Sequence, residues 1–156
     1  MDVIAQRIRE AQAGDERELV KLQALLWPGA LTEELREETE AMVNQRSTGT
    51  LPCKLLVSED EAGALTGFLL VGLRSHADGC DPAQPAGFIE GWFVRAECRG
   101  RGIGRQLFEA AEAWARAQGC IEMASDCLID NHPAHDVHRA LGFEVVDRCV
   151  HFKKTL

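Results

Sequence analysis

Among 156 residues there is no tyrosine. No phenol can therefore give or take a proton, and acid–base work must fall to carboxylates and histidines. No apolar stretch approaches the ~20 residues of a membrane-spanning helix; the longest clean run, Phe68 to Val71, reads as a buried strand. The first residues, Met1 to Arg7, lack the basic-then-apolar layout of a secretory leader, so a cytoplasmic address and no membrane partner are expected. Cations are in the minority, 17 Lys and Arg against 25 Asp and Glu, for a net charge of -8. That balance argues against a nucleic-acid partner, which needs a basic face, and suits a cationic one. Simple solubility accounts for it equally well. Six cysteines are present, but none are spaced C-x-x-C, which argues against a zinc ribbon or a thioredoxin-type site. His132, His135 and His138 share one segment without a carboxylate or thiolate set to complete a metal site, and no metal is expected.

No repeat, low-complexity tract or linker interrupts the chain, so residues 1–156 are expected to form one domain. Val3 to Arg9 alternates as a half-buried strand does. Asp15, with Glu18 three residues on, opens a helix in the manner of a capping box. Leu19, Leu22, Leu25 and Leu26 supply its apolar stripe, and Trp27-Pro28-Gly29 stops it. Thr32 is expected to cap a second, acidic helix with a weak apolar face. Lys54 to Ser58 and Ala64 to Arg74 read as a hairpin, and Phe88 to Val94 as a further strand. Ile103, Leu107, Ala110, Ala111 and Trp114 form one face of a clear helix ended by Gly119. A short strand from Ile121 to Ser125 and a short helix opened by Asn131-His132-Pro133 follow. Phe143 to Val146 and Cys149 to Lys153 are expected as closing strands. The order β, α, α, hairpin, β, α, β, α, β, β predicts an α/β (α+β) fold, a mixed sheet flanked by helices.

The sharpest local feature is a strand followed by Arg99-x-x-Gly102-x-Gly104 and then a helix. Glycines allow backbone N–H groups to approach a ligand, and a helix N-terminus offers unpaired donors with partial positive charge. This is an arrangement for pyrophosphate, to which Arg99, Arg101 and Arg105 add charge. The P-loop pattern is absent. The dinucleotide fingerprint fails because Arg105 stands at its last glycine position. A simple tight turn also fits the glycines alone.

This loop resembles the acetyl-CoA signature of the GNAT N-acetyltransferases, and the likeness extends over essentially the whole chain. It implies a mostly antiparallel central sheet flanked by helices, with acetyl-CoA as co-substrate. The pyrophosphate would rest on Arg99, Gly100, Arg101, Gly102, Ile103 and Gly104. The pantetheine arm would lie along the backbone of Trp92, Phe93 and Val94, in a gap between the strands ending at Val94 and Ser125, with Asn131 touching the cofactor further along. A narrower likeness rests on Leu26-Trp27-Pro28, Gly79-Cys80-Asp81, Glu90-Gly91-x-Phe93-Val94, Met123-Ala124-Ser125-Asp126 and Val137-His138-x-Ala140-Leu141-Gly142-Phe143. Together these are similar to aminoglycoside 6′-N-acetyltransferases. Carried over, that likeness assigns substrate contacts to Trp27, His76, Glu90, Asp126 and Asp147, although a tyrosine would be expected where His76 stands. It also implies a homodimer.

The residues make chemical sense of this assignment. Aminoglycosides carry several ammonium groups, which carboxylates bind as pure acceptors, and an indole such as Trp27 offers a flat face to a sugar or a cation. Glu90 stands out because charge is rarely placed in an apolar strand without a partner. Trp27 also fits a packed helix end, and Asp126 and Asp147 also fit turns. The expected chemistry is direct attack of an amine on the thioester in a ternary complex, driven by positioning. The Val94 N–H would polarise the carbonyl, and Glu90 or Asp126 would take the amine proton. The GNAT position that often holds a proton-donating tyrosine carries His138, and coenzyme A is itself a fair leaving group, so a dedicated acid is not required. Two other readings stay open. One is a GNAT enzyme for another amine, such as a polyamine or a protein N-terminus; the other is a non-catalytic acyl-CoA sensor.

Overall fold

Alternation on two successive strands sets the architecture. On β2 (Cys53–Glu59) and β3 (Leu65–Arg74), side chains at odd and even positions are both apolar and buried, as central strands covered on both faces require. A computed structural model, describing residues 6–47 and 51–156, shows what covers them. Leu55, Val57, Phe68 and Leu70 face one core with Leu19, Leu22 and Met42 of helices α1 (Glu16–Leu26) and α2 (Thr32–Gln45). Leu56, Leu69 and Val71 face another with Ile103, Leu107, Phe108 and Ala111 of helix α3 (Ile103–Ala117). Phe68, Leu69 and Val71 are fully buried, and each such side chain contributes on the order of 1.5–3 kcal/mol.

The sheet has five strands in the order β1-β2-β3-β4-β5, with β1 Arg7–Glu10, β4 Ala86–Val94 and β5 Met123–Ser125. Its first three pairings are antiparallel, and β4 and β5 run parallel. A last helix, α4 (His132–Ala140), follows β5. This is the mixed, mostly antiparallel sheet flanked by helices that the sequence predicts. Among the described residues no helix is long and apolar enough to cross a membrane.

Several local expectations are corrected. The first strand runs Arg7–Glu10 rather than Val3 to Arg9, and residues 1–5 lie outside the described residues. Asp15 precedes α1 but makes no side-chain cap bond. Its carboxylate instead takes the Arg9 guanidinium at 2.7 and 3.0 Å and the Gln12 amide at 2.9 Å, while Glu18 pairs with Lys21. Thr32 is the first residue of α2, not its cap; Leu31 holds that position in extended conformation.

The closing strands are absent. Phe143 to Val146 and Cys149 to Lys153 carry no strand assignment, and residues 144–156 are exposed throughout, with Val150 at 73% and Phe152 at 93%. A strand needs an edge to pair with. This segment does not lie on the outer edge of β5, beside which there is instead a groove of about 500 Å³ lined by apolar residues such as Phe108, Met123 and Phe143 and by the charged Glu112, Arg116 and Glu122.

Candidate active site

The site begins with an irregularity in the sheet. Between β3 and β4 the register runs Leu70↔Gly91 and then Val71↔Ile89, which leaves Glu90 as the extra residue of a β-bulge. Such a bulge bends its strand and re-aims a side chain. Pairing of β4 with β5 stops at the same level, at Ile89↔Ser125, while β4 continues to Val94. A gap therefore opens between the two parallel strands just where Glu90 departs from the ladder. Along this stretch β4 still pairs with β3, and the Arg95 amide donates to Thr66 O at 2.8 Å. Alternation of the backbone then turns the amides of Trp92 and Val94 toward the gap. Phe93 packs into the α1–α2 core, and Trp92 and Val94 pack into the α3 core.

At the far end of β4 the chain passes through a short 3₁₀ turn, Ala96–Cys98, into α3. Gly100 and Gly102 have φ of 75° and 79°, a region other residues enter only with strain. Gly102 is the N-cap and makes no side-chain cap bond, and the first intrahelical amide bond is Gln106 N to Gly102 O. The amides of Ile103, Gly104 and Arg105 thus remain as donors at the positive end of the helix. Arg101 is exposed beside them. Arg99 folds back, donating to Val94 O at 2.8 Å with its guanidinium 5.5 Å from the Phe93 ring centre. Arg105 reaches Ala140 O at 3.5 Å. In this arrangement Arg99 braces the loop, and backbone amides form the anion cradle. A cradle of amides joined to an open strand edge fits coenzyme A: a pyrophosphate followed by an amide-bearing arm.

On the α1–α2 face, Trp27 lies over Gly91 so closely that a Cβ there would meet the indole at 2.6 Å. Its ring centre is 6.1 Å from that of Phe68. Trp27 is thus both a packed helix end and a neighbour of Glu90. Glu90 itself is held by Arg74 through two hydrogen bonds of 2.8 Å, with the guanidinium 3.4 Å over the Phe88 ring. The Glu90 bonds, opposed by burial and aided by the charges of Glu90 and Asp126, hold the Arg74 guanidinium above its ordinary value. Burial first, then the charges of Glu10 and Glu90, pushes the nearby Cys53 thiol up to about 11, leaving it a protonated bystander at neutral pH.

Of the remaining predicted residues, Asp126 directly follows β5, Asn131 and His138 belong to α4 and its cap, and His76 and Asp147 lie by the loop between β3 and β4. Asn131 caps α4, its side chain accepting from Ala134 N at 3.3 Å. His138 is packed edge-on against Trp92 and Phe143, and its Nε2 lies 2.8 Å from Ser125 Oγ. His76 lies 3.7 Å from Asp78 on an exposed loop. Val146 sits over the backbone of Gly79 on that same loop, which brings Asp147, one residue on, to the loop's side of the site. Sequence reasoning missed Arg74 and Ser125. A hint of Arg74 was available, since it and Glu90 are the two charges in the otherwise apolar β3–β4 pair. Ser125 offered none. Among the described residues no group of His, Cys, Asp and Glu is arranged to hold a metal.

Known proteins resemble this chain in sequence and in fold. The sequence profile of the Acetyltransferase (GNAT) family matches residues 17–143. An aminoglycoside N(6′)-acetyltransferase type 1 from Stenotrophomonas maltophilia is 36% identical over 97% of this chain and 95% of its own. One of the same name from Acinetobacter baumannii is 34% identical over 96% of each. Among solved structures, AAC(6′)-Iy in complex with the bisubstrate analogue CoA-S-monomethyl-acetylneamine superposes with a TM-score of 0.86 at 29% identity, covering 97% of this chain and 99% of that one. Family profile, near-full-length relatives and superposed fold agree with one another: the chain belongs to the GNAT acetyltransferase family, alongside the aminoglycoside N(6′)-acetyltransferases.

Proposed function

We propose that this protein transfers the acetyl group of acetyl-CoA to the 6′-amino group of aminoglycosides in the bacterial cytoplasm, and so confers resistance to them. The observation that carries this reading is Glu90, presented by a bulge at the mouth of the β4–β5 gap, where it already holds a cation, Arg74. A carboxylate that chelates a guanidinium at this point is suited to a substrate ammonium. Acetyl-CoA supplies the activated acetyl thioester. The amides of residues 102–105 hold its pyrophosphate, with Arg101 adding charge, and the open edge of Trp92 to Val94 holds its arm, with Asn131 beyond. Trp27, His76, Asp126 and Asp147 bind the acceptor's rings and ammonium groups, and substrate binding draws Glu90 away from Arg74. Glu90 or Asp126 then takes a proton from the ammonium. The Val94 amide stabilises the charge that develops on the carbonyl oxygen.

The test is release of free thiol from acetyl-CoA with kanamycin or tobramycin, against an analogue lacking the 6′-amine. Fast turnover with the parent drugs and none with the analogue is expected. Turnover with neither would overturn the reading.

The same proposal includes a homodimer in which residues 144–156 of each copy cover the groove beside β5 of the other. Exposed Val145, Val146, Val150 and Phe152 on one side, and on the other a groove whose apolar residues Phe108, Ile121, Met123 and Phe143 are flanked by Glu112, Arg116 and Glu122, support it. Light scattering should give twice the chain mass, and a Val150→Asp, Phe152→Asp variant should give the single-chain mass.

A further inference from the structure

We propose that Ser125, backed by His138, donates the proton that the departing thiolate of coenzyme A requires, in the place that a tyrosine would otherwise fill. This rests on the acetyl-transfer reading above. Ser125 is the last residue of β5 still paired with β4, so it stands where the gap between the strands closes. The anion cradle lies past the opposite end of the gap, beyond Val94. An arm that starts at the cradle and follows the open edge of β4 therefore ends, at its sulfur, nearest Ser125.

The hydrogen bonds define how the pair works. His138 Nδ1 lies 2.7 Å from Ala134 O, and Nε2 lies 2.8 Å from Ser125 Oγ. A carbonyl only accepts, so Nδ1 carries hydrogen, and in the neutral ring Nε2 accepts the Ser125 hydroxyl. In the imidazolium both nitrogens donate. Ser125 Oγ then accepts from Nε2 and is free to turn its own hydrogen outward. Both bonds survive in both states, so the ring can pass a proton without moving, and Trp92 and Phe143 pin it from the sides. Charged side chains on neighbouring elements are Arg105 of α3, bonded to Ala140 O, and Asp126 beside Ser125. The titratable or charged groups on its own helix are His132, His135, Asp136 and Arg139.

The two faces of the sheet separate the two proton transfers. Ser125 is in register with Ile89, whose side chain belongs to the α3 core. Glu90 lies on the other face: a Cβ on Gly72 would have Cys53 Cβ at 3.8 Å and Glu90 Cγ at 3.9 Å as neighbours, and Cys53 belongs to the α1–α2 core. The amine is deprotonated from that face. On the α3–α4 face, the C–S bond breaks and its electron pair goes to sulfur. Sulfur takes the Ser125 hydroxyl hydrogen, Ser125 Oγ takes the hydrogen from His138 Nε2, and imidazolium becomes imidazole, to be recharged by solvent.

The decisive measurement needs no acceptor. The thiol of bound coenzyme A is titrated by the ultraviolet absorbance of its thiolate in complexes with the wild type, Ser125→Ala, Ser125→Thr and His138→Asn. The wild type and Ser125→Thr should ionise the bound thiol about one pH unit lower than Ser125→Ala and His138→Asn do, a tenfold change in proton affinity. In turnover, Ser125→Ala should lose about 100-fold in kcat, as for a lost general acid, with both KM values within about threefold and most activity restored by threonine. An unchanged thiol midpoint in a folded Ser125→Ala protein would make the pair a mere staple between β5 and α4 and overturn the proposal. Because the titration contains no amine, it succeeds or fails independently of which amine is acetylated.

Discussion

The chain changes character at Cys120. Every buried residue among the described residues lies at or before it, and none lies after it. The earlier region is a sheet sandwiched between two apolar cores, and its few buried polar groups are internally satisfied: Thr39 bonds Gln23 at 2.7 Å, and Ser58 bonds Thr66 at 2.8 Å. The later region is held by the short β4–β5 ladder, backbone turns, the His138–Ser125 bond and contacts of half-buried rings. The site straddles this boundary. Trp27, Glu90, Val94 and the α3 amide cradle belong to the first region, whereas Ser125, Asp126, Asn131, His138 and Asp147 belong to the second. The earlier region is thus the preformed part of the candidate site, and the exposed apolar side chains of the later one are physical support for the proposed second copy as their cover.

The sharpest way to break this contrast is to truncate one phenylalanine in each region. Phe68 is fully buried between Trp27 and Phe93, and Phe68→Ala should cost about 3–5 kcal/mol, read as a denaturant midpoint shift. Phe152 is 93% exposed. Phe152→Ala should leave the stability of the dilute single chain within about 0.5 kcal/mol while weakening self-association. Equal losses from the two would mean that the later region folds on its own core.

Glu90→Gln comes next in size and separates chemistry from scaffold on the preformed side. The amide keeps the shape at the bulge but cannot take a proton. We expect kcat/KM to fall about 100-fold, near 2.7 kcal/mol of transition-state stabilisation, with little change in melting temperature because the Arg74–Glu90 pair is partly exposed, 42% and 28%. A melting temperature that falls in step with activity would reassign Glu90 to structure.

The same boundary marks where the sequence stops being legible. Strands β2 to β4 and helix α3 announce themselves because their periodic apolar residues are buried by elements of the same chain. Val145, Val146, Val150 and Phe152 announce strands just as clearly, yet a pattern reports which side chains seek cover, not whose sheet provides it. Glu90 was visible as a charge inside an apolar strand. The bulge that aims it was not, because register is a relation between two strands. Ser125 was invisible as a chemical group, since only the return of α4 over β5 brings His138 to it. Asp15 misled for a similar reason: its local helix-capping role lost to Arg9, which the β1–β2 pairing positions between Asp15 and Glu59.

That last cluster gives the smallest effect, and one confined to the early region. Arg9 is 15% exposed and donates to Asp15 and to Glu59, the latter at 2.8 Å. Burial works to raise the Asp15 carboxyl, but bonds from Arg9 and the Gln12 amide outweigh it and hold the group below its ordinary value. A carboxylate depressed on folding contributes stability above its unfolded pKa, about 3.9, and loses it as pH falls through the lower folded value. Arg9→Met keeps most of the apolar stem and removes the charge. It should cost about 2 kcal/mol at pH 7, as for charge-assisted bonds at a partly buried site. The gap between the wild type and the variant should stay constant from pH 7 to about 5, begin to close below about pH 4 as the unfolded carboxyl takes up its proton, and finish closing only below the lowered folded value of Asp15. Urea midpoints across that range measure it. A gap that persisted undiminished in acid would assign Arg9 to packing alone, and its contacts with Asp15 and Glu59 would then add no electrostatic stability to the early region.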